Sequence, residues 1–326
     1  MAPNATSSAT HVTEHAIAVS APPETVYALV ADASDWAQVF GPTVHAEVTQ
    51  EGAGGEQELR IWAFANDQVR SWVSRRTLDP VTRTISFRQV VSAPPVEAMA
   101  GQWRIETNED GGSRVVLLHD FRALHDDPAS VELIQQAVDR NSRAELAALK
   151  TAAELGATRD ELHFTFSDSV HIDGSADDVF AFLDRADLWP ERLPHVSRLG
   201  LTEIEPGLQH MDMDTLSPDG SAHNTTSVRV CFADRHLIVY KQLRVPVAMS
   251  LHTGRWTMEP AEEGGVRATS WHTVTLDPEG VSHALGPQAT LAEARAMVRK
   301  ALGTNSSTTL HHAKEFAEAA HATRTT

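Results

Sequence analysis

Laid on itself with a shift of 153 residues, the sequence matches itself without a gap for about a hundred positions. Trp36, Ser74, Arg76, Ile85, Gly101, Trp103 and His119 fall on Trp189, Ser227, Arg229, Ile238, Gly254, Trp256 and His272. Toward the end of each copy the shift becomes 164, so that Ile134, Val138, Asn141 and Ser142 meet Val298, Leu302, Asn305 and Ser306. The second copy therefore carries about eleven extra residues, around Val281 to Pro287. A period of this length is domain-sized, so the chain reads as the duplication of one domain and not as a solenoid. With the boundary near Gly156 to Arg159, the expected organisation is a disordered tail at 1–10, a first domain at 11–157 and a second at 158–326.

Each copy has the same order of local signals. A first strand (Val12 to Val19; Leu162 to Ile172) runs into a helix start, SAPPETVYALVAD or DGSADDVFAFLDR. Two short helices straddle Trp36 or Trp189, and strands of alternating pattern follow, separated by the turn clusters EGAGGE, SPDGS, EDGGS and EEGG. One long helix closes each copy. Its expected apolar stripe is Ile134, Val138, Asn141, Glu145, Ala148 and Ala152 in the first copy, and Val298, Leu302, Asn305, Thr309, His312 and Phe316 in the second. This order predicts an α+β fold, a curved antiparallel sheet wrapped around the last helix, made twice. In the strand SWVSRRTLDP, the period of two puts Trp72, Ser74 and Arg76 on one side and Val73 and Arg75 on the other.

These elements resemble the polyketide aromatase/cyclases of bacterial aromatic polyketide pathways, of the helix-grip (Bet v 1-like, START-like) superfamily. The resemblance rests on the element order, the Trp after the second short helix, the WVSRR strand, the GQW strand and the terminal helix NSRAELAALK, and it spans both copies. It implies an interior cavity between sheet and helix that receives a linear poly-β-ketone tethered to an acyl carrier protein. There an aldol closure sets the first ring and loss of water makes it aromatic. By position, Trp72, Ser74 and Arg76 line that cavity, with Trp36 and Trp103 as further aromatic walls. Two positions depart from single-domain relatives, which have a Trp where Arg70 stands and a pocket Tyr where Thr43 stands.

The chemistry of the residues agrees. Trp36, Phe40, Trp72 and Trp103 can wall off water around a reactive chain. Arg76 offers a permanently charged fork of donors to carbonyl oxygens, His119 titrates near neutrality and can move protons, and Ser74 can orient a carbonyl or a water. The expected catalytic set is thus Arg76, Ser74 and His119. Arg88, Asn141, Trp189, Ser227, Arg229, Trp256, His272 and Asn305 join Trp36, Phe40, Trp72 and Trp103 as expected substrate-binding residues. A histidine in this position is more often a satisfied core residue, and Asn141 and Asn305 either line the pocket or make a structural hydrogen bond. The second copy reads NTTSVRVCF, with Thr225 in place of Trp72, so the first domain is expected to carry the ring chemistry and the second to be accessory.

Composition excludes other classes. A net charge of −17 argues against nucleic acid and anionic membrane as partners. The single cysteine, Cys231, excludes an intramolecular disulfide, and with neither a long apolar run nor a leader pattern the expected location is the cytoplasm. The 17 histidines, HH at 311 and 312 included, show no metal-ligand spacing, and no phosphate-cradling loop is present, so no metal or cofactor is expected. The alternatives are a non-catalytic carrier of a hydrophobic metabolite and a scaffold without a deep cavity. A lipid carrier would leave an interior Arg unsatisfied.

Overall fold

From His11 to Val19 residues alternate half-buried and exposed, the signature of a strand with one face on a core. The computed structural model describes residues 9–65, 68–156, 158–216 and 222–325, and most of the expected disordered tail at 1–10 lies outside them. The chain divides into two compact units, Met1–Gly156 and Ala157–Thr326. The first holds β1 (His11–Val19), α1 (Pro23–Ala31), α2 (Trp36–Val39), β2 (Thr43–Glu51), β3 (Glu56–Ala65), β4 (Gln68–Asp79), β5 (Thr84–Gln89), β6 (Val96–Thr107), β7 (Ser113–Ala123) and α3 (Pro128–Glu154). The second holds α4 (Thr158–Leu162), β8 (His163–Ile172), α5 (Ala176–Asp184), α6 (Trp189–Arg192), β9 (Val196–Glu205), β10 (Leu208–Leu216), β11 (Ala222–Phe232), β12 (Leu237–Arg244), β13 (Met249–Pro260), β14 (Val266–Leu276), α7 (Pro278–Leu285) and α8 (Leu291–Thr325).

Each unit is a seven-stranded antiparallel sheet, ordered β1-β7-β6-β5-β4-β3-β2 in the first and β8-β14-β13-β12-β11-β10-β9 in the second. The long helices lie over their own sheets, α3 against β1 and β7, α8 against β8 and β14. This is the helix-grip architecture in tandem. The extra residues of the second copy form α7, whose first turn is capped by the Asp277 carboxylate accepting from the Gly280 N–H.

Local sequence explains where helices start. Pro23 and Pro128 sit where a helix has no use for an N–H, and the Asp127 carboxylate accepts from the Ser130 N–H at 2.9 Å. α8 opens on a reciprocal capping box, the Thr290 N–H donating to Glu293 and the Glu293 N–H to Thr290 Oγ1. The cores follow: Val26, Leu29 and Val30 of α1 meet Ile85, Trp103, Ile105, Val115 and Leu117 of the sheet and Leu146 and Leu149 of α3. Val179, Phe182 and Leu183 of α5 meet Ile238, Trp256, Met258 and Ala268 and Leu310, Ala313 and Ala317 of α8.

Two expectations shift by one residue. Beyond Val138 the buried seam of α3 continues through Ser142, Leu146, Leu149 and Ala153, leaving Asn141 exposed. A period of 3.6 accepts either neighbour after Val138, and packing decides. The gapless repeat also hides compensating shifts, because Gln57 pairs with Arg76 and Gln209 with Arg229, a separation of 209 − 57 = 152.

Gly101 and Gly254 hold equivalent places in β6 and β13 for a steric reason. A Cβ on Gly101 would lie 2.3 Å from the Leu118 carbonyl oxygen and 2.5 Å from the Phe87 ring, and one on Gly254 would lie 2.4 Å from both the Trp271 carbonyl and the Tyr240 hydroxyl. Each glycine is the floor on which a neighbouring aromatic ring lies. Gly101→Ala should therefore cost about 1–3 kcal/mol, read as a lowered thermal midpoint against Gly111→Ala, where nothing stands within 4 Å of the added carbon but φ is +82°. Unchanged melting of Gly101→Ala would contradict this packing.

Candidate functional site

Alternation in β4 resolves inward for Trp72, Ser74 and Arg76. Ser74 and Arg76 are 5% and 3% exposed, while Arg75 and Thr77 face out. Strand register then lays a row of residues across the concave face: Gln57, Arg76, Phe87, Gly101, His119 and Thr13 are successive cross-strand partners. Cross-strand partners stand close enough for side chains to touch. The Phe87 ring, laid over Gly101, meets the edge of the His119 imidazole at 5.5 Å, and Ser142 Oγ from α3 lies 3.4 Å from His119 Nδ1. Trp36, Trp72, Phe87, Gln89, Met99 and His119 all stay half-buried on this face, so α3 does not close it.

Arg76 is placed as expected but engaged differently. Its Nε and one Nη2 N–H donate to Gln57 Oε1 (2.9 and 2.7 Å), a second Nη2 N–H donates to the Ala31 carbonyl (2.5 Å), and Nη1 donates to the Val30 carbonyl (3.1 Å). Four of its five N–H groups are thus taken by protein acceptors. The guanidinium also lies over the Trp36 ring at 5.3 Å, and the Trp36 indole N–H shares the Val30 carbonyl (3.1 Å). Burial lowers its pKa to about 10, so it stays charged at neutral pH. Trp36 contacts Phe40 edge-on at 5.8 Å, and Phe40 leads on to Trp103 at 6.3 Å. Trp72 packs with Trp36 against Ala33, Ala46, Leu59 and Ile61. The Ser74 hydroxyl donates to the Arg88 carbonyl (3.1 Å), which commits its proton to the sheet.

Arg88 requires correction. Its neighbours Phe87 and Gln89 take the inner face, so its side chain is exposed on the outer one, opposite Arg75. There it borders an open concavity of about 360 Å3 with Glu58, Arg75, Thr77 and Ser86, whose lining also includes Gln57, Arg76, Phe87 and Gly101. Arg70 is likewise exposed, donating to Gln68 at 2.8 Å, and Thr43 is buried.

Glu145, read from the sequence as one more member of a helical stripe, is the titratable group that sequence reasoning missed. It lies one turn beyond Ser142 on α3, half-buried, and burial raises its carboxyl pKa to about 7. Burial and the nearby His15 push His119 down to about 4, so it is neutral at working pH. The signal was present in the sequence: an acidic residue on the apolar side of an amphipathic helix has no water to keep it charged.

The second domain repeats the row as Gln209, Arg229, Tyr240, Gly254, His272 and Phe166. Trp189, Ser227, Arg229, Trp256 and His272 are all buried, Arg229 lies over Trp189 at 5.4 Å, and Thr225 donates to the Met213 carbonyl at 3.5 Å. Asn305 is exposed, its place in the seam taken by Ser306. Arg229 Nη2 donates to the Leu183 carbonyl (2.7 Å), but Nε and Nη1 are buried without a partner, because Gln209 turns away to Asp184. Tyr240 Oη lies 3.1 Å from His272 Nδ1, His252 Nε2 lies 2.9 Å from the same atom, and Ser270 Oγ lies 3.1 Å from His272 Nε2. Tyr240, His252 and Ser270 stand where the first copy has Phe87, Met99 and Leu117, and that apolar-to-polar change between copies was the signal that could have found them. Among the described residues no group of three or more His, Cys, Asp or Glu is placed to hold a metal ion, and no helix is long and apolar enough to cross a membrane.

Comparison with known proteins agrees with this geometry. A family model described as polyketide cyclase/dehydrase and lipid transport matches residues 10–154 and again 163–315. The granaticin polyketide synthase bifunctional cyclase/dehydratase of Streptomyces violaceoruber is 47% identical over 312 residues, 95% of each chain. The actinorhodin polyketide synthase bifunctional cyclase/dehydratase of Streptomyces coelicolor is 44% identical over 93% of this chain and 96% of its own. Among solved structures, the di-domain ARO/CYC BexL of the BE-7585A biosynthetic pathway superposes with a TM-score of 0.88 at 50% identity, covering 94% of this chain and 99% of that one. The di-domain ARO/CYC StfQ of the steffimycin pathway gives 0.84 at 35%, covering 95% and 99%. Two concave faces with aromatic walls and interior titratable groups, in a chain similar along nearly its whole length to such enzymes, place it: the protein belongs to the two-domain polyketide aromatase/cyclases and is an enzyme of polyketide cyclisation and dehydration, not a passive carrier.

Proposed function

We propose that the first domain takes a linear poly-β-ketone, presented by an acyl carrier protein of a polyketide synthase, along its concave face and closes the first ring there. The observation that carries this reading is a neutral His119 on the half-open inner face, edge-on to Phe87 and beside Ser142, with Glu145, of pKa about 7, one turn further along α3 and with Trp36 and Trp72 half-buried on the same face. An intramolecular aldol needs little else. His119 takes a proton from a carbon flanked by two carbonyls, that carbon attacks a ketone further along the chain, and Glu145 protonates the resulting alkoxide. No atom is lost in ring closure, and the water leaves in the later dehydration. Aromatic walls hold the chain folded and keep out water. Arg76 acts here as a positioning residue, fixing Trp36 and the end of α1, and Ser74 can accept from a hydroxyl or a water.

Glu145→Gln keeps the shape and removes the titration. It should lower correctly cyclised product roughly 100-fold in a reconstitution with a minimal synthase and its carrier protein, while the protein stays folded. The folded-state pKa of Glu145 lies above its unfolded value, so its contribution to stability is full below about pH 4.5 and is lost as the pH rises through about 7. Glu145→Gln should accordingly melt higher than the parent at pH 8 and approach it at pH 5. Equal melting differences at the two pH values, or full cyclisation by the variant, would remove Glu145 from the mechanism.

Arg76→Ala strands the Ala31 carbonyl and Gln57 Oε1 and leaves the Val30 carbonyl to the Trp36 indole alone, which should cost about 1–3 kcal/mol and divert product toward spontaneously cyclised shunts through displacement of Trp36. Lysine restores the charge without the fork and should rescue only in part. A fully stable Arg76→Ala protein that still loses cyclisation would argue instead for direct contact between Arg76 and the substrate.

A further inference from the structure

The two copies share an arginine, but the second leaves whole nitrogens of it without an acceptor. In the first domain Gln57 accepts from Arg76 Nε and Nη2, whereas Gln209 donates its amide N–H to the Asp184 carbonyl and carboxylate and leaves Arg229 Nε and Nη1 unpartnered, with its own Oε1 also buried and unpaired. Arg229 is 3% exposed, and a buried cation with unfilled N–H groups is costly unless an oxygen from elsewhere completes it. Cys231 does not compensate, since burial pushes its thiol pKa up to about 12 and keeps it neutral.

One residue along the same row stands Tyr240, half-buried, its hydroxyl laid over Gly254 toward His272. His252 Nε2 meets the same His272 nitrogen, and His252 Nδ1 is a buried polar atom without a partner, as is Gln242 Oε1, whose strand position is opposite Ser227. Phe166 stacks on His272 at 4.8 Å, with the Asp168–Arg299 ion pair behind it. The His252 and His272 imidazoles are both neutral at working pH, pushed down to about 3 and about 4 by burial, with His252 further lowered by His272 and His272 further affected by Asp168 and Arg299. The Tyr240 phenol is raised by burial and remains a donor. A continuous chain of proton carriers therefore runs from His252 Nδ1 through His252 Nε2 and His272 Nδ1 to the Tyr240 hydroxyl, with an unfilled guanidinium as the next side chain in the row.

Resting on the reading of the chain as a polyketide cyclase/dehydratase, we propose that the second domain is a reaction centre of its own, the dehydration site, in which Arg229 holds the ketone oxygen of a cyclised β-hydroxy ketone and His252, His272 and Tyr240 carry out elimination of water. His252 Nδ1 takes the proton from the carbon between ketone and carbinol. The electron pair of that C–H bond becomes the new C=C bond, and the developing enolate charge falls on the oxygen held by Arg229. The C–O bond of the carbinol breaks, the Tyr240 hydroxyl supplies the proton that converts the leaving hydroxide to water, and His272 returns a proton to Tyr240 after receiving one from His252. Tyr240 and His272 end as they began, His252 is left with its proton on Nδ1 in place of Nε2 and returns to the starting tautomer by exchange with solvent before the next turnover, and no oxidant or cofactor is required. The first domain has Phe87 and Met99 at the Tyr240 and His252 positions and lacks this relay.

The test uses the full chain with a minimal synthase and its acyl carrier protein, reading by mass the ratio of product one water heavier to dehydrated product. Tyr240→Phe, which installs the residue type of Phe87, should raise that ratio roughly 100-fold, and Arg229→Gln should do so by a similar factor, with Arg229→Lys partly restoring dehydration. Glu145→Gln should instead lower total cyclised product without raising the ratio. Thermal melting and circular dichroism of each variant establish that it is folded. Folded Tyr240→Phe and Arg229→Gln proteins with the parent ratio would overturn the dehydration site and leave the cluster a structural network. A parent protein that does not alter the products of the synthase at all would overturn the cyclase reading, and this inference with it.

Discussion

In each domain a buried arginine joins the sheet to the first helix, and the rest of the site is built on that joint. The last carbonyls of a helix have no partner within it, and they carry the negative end of its dipole. Arg76 supplies donors and positive charge to Val30 and Ala31 at the end of α1, and Arg229 does the same for Leu183 at the end of α5. Each guanidinium also carries the tryptophan that follows, Trp36 or Trp189, whose indole N–H bonds a carbonyl of the same helix end. One side chain thus fixes the angle of the helix, the position of an aromatic wall and the inner face of the central strand.

From that shared joint the copies diverge through small changes with large chemical consequences. Gln57 accepts from two nitrogens of Arg76, whereas Gln209 turns to Asp184 and leaves Arg229 Nε and Nη1 without an acceptor. Phe87 and Tyr240 lie over equivalent glycines, but only the tyrosine hydroxyl reaches a histidine. The first domain has its titratable carboxyl on the helix, at Glu145. The second has Thr309 in that place and carries its polar groups on the sheet. Duplication provided two similar concave faces, and different polar groups are buried in each, with titrations shifted accordingly.

The sequence by itself determined the duplication, the α+β order, the position of each long helix and that Trp72, Ser74 and Arg76 share one side of their strand, because strand alternation and a long register-keeping repeat are local properties that survive without coordinates; that this side faces inward came from the family resemblance and is what the fold shows. It also placed His119 and His272 on their inner faces, by the same alternation. Three things it could not decide. The turn of α3 after Val138 satisfies helical periodicity with either Asn141 or Ser142, and only the packing against β7 selected Ser142. Arg88 fell among the expected pocket residues, yet strand parity set by Phe87 and Gln89 sends it outward. Which donors of Arg76 and Arg229 remain free depends on the rotamers of Gln57 and Gln209, two identical residue types in equivalent strands. Whether an identical pair bonds or parts is settled by what else each glutamine can reach, here the Asp184 carboxylate, and such competition between distant partners exists only once the chain is folded.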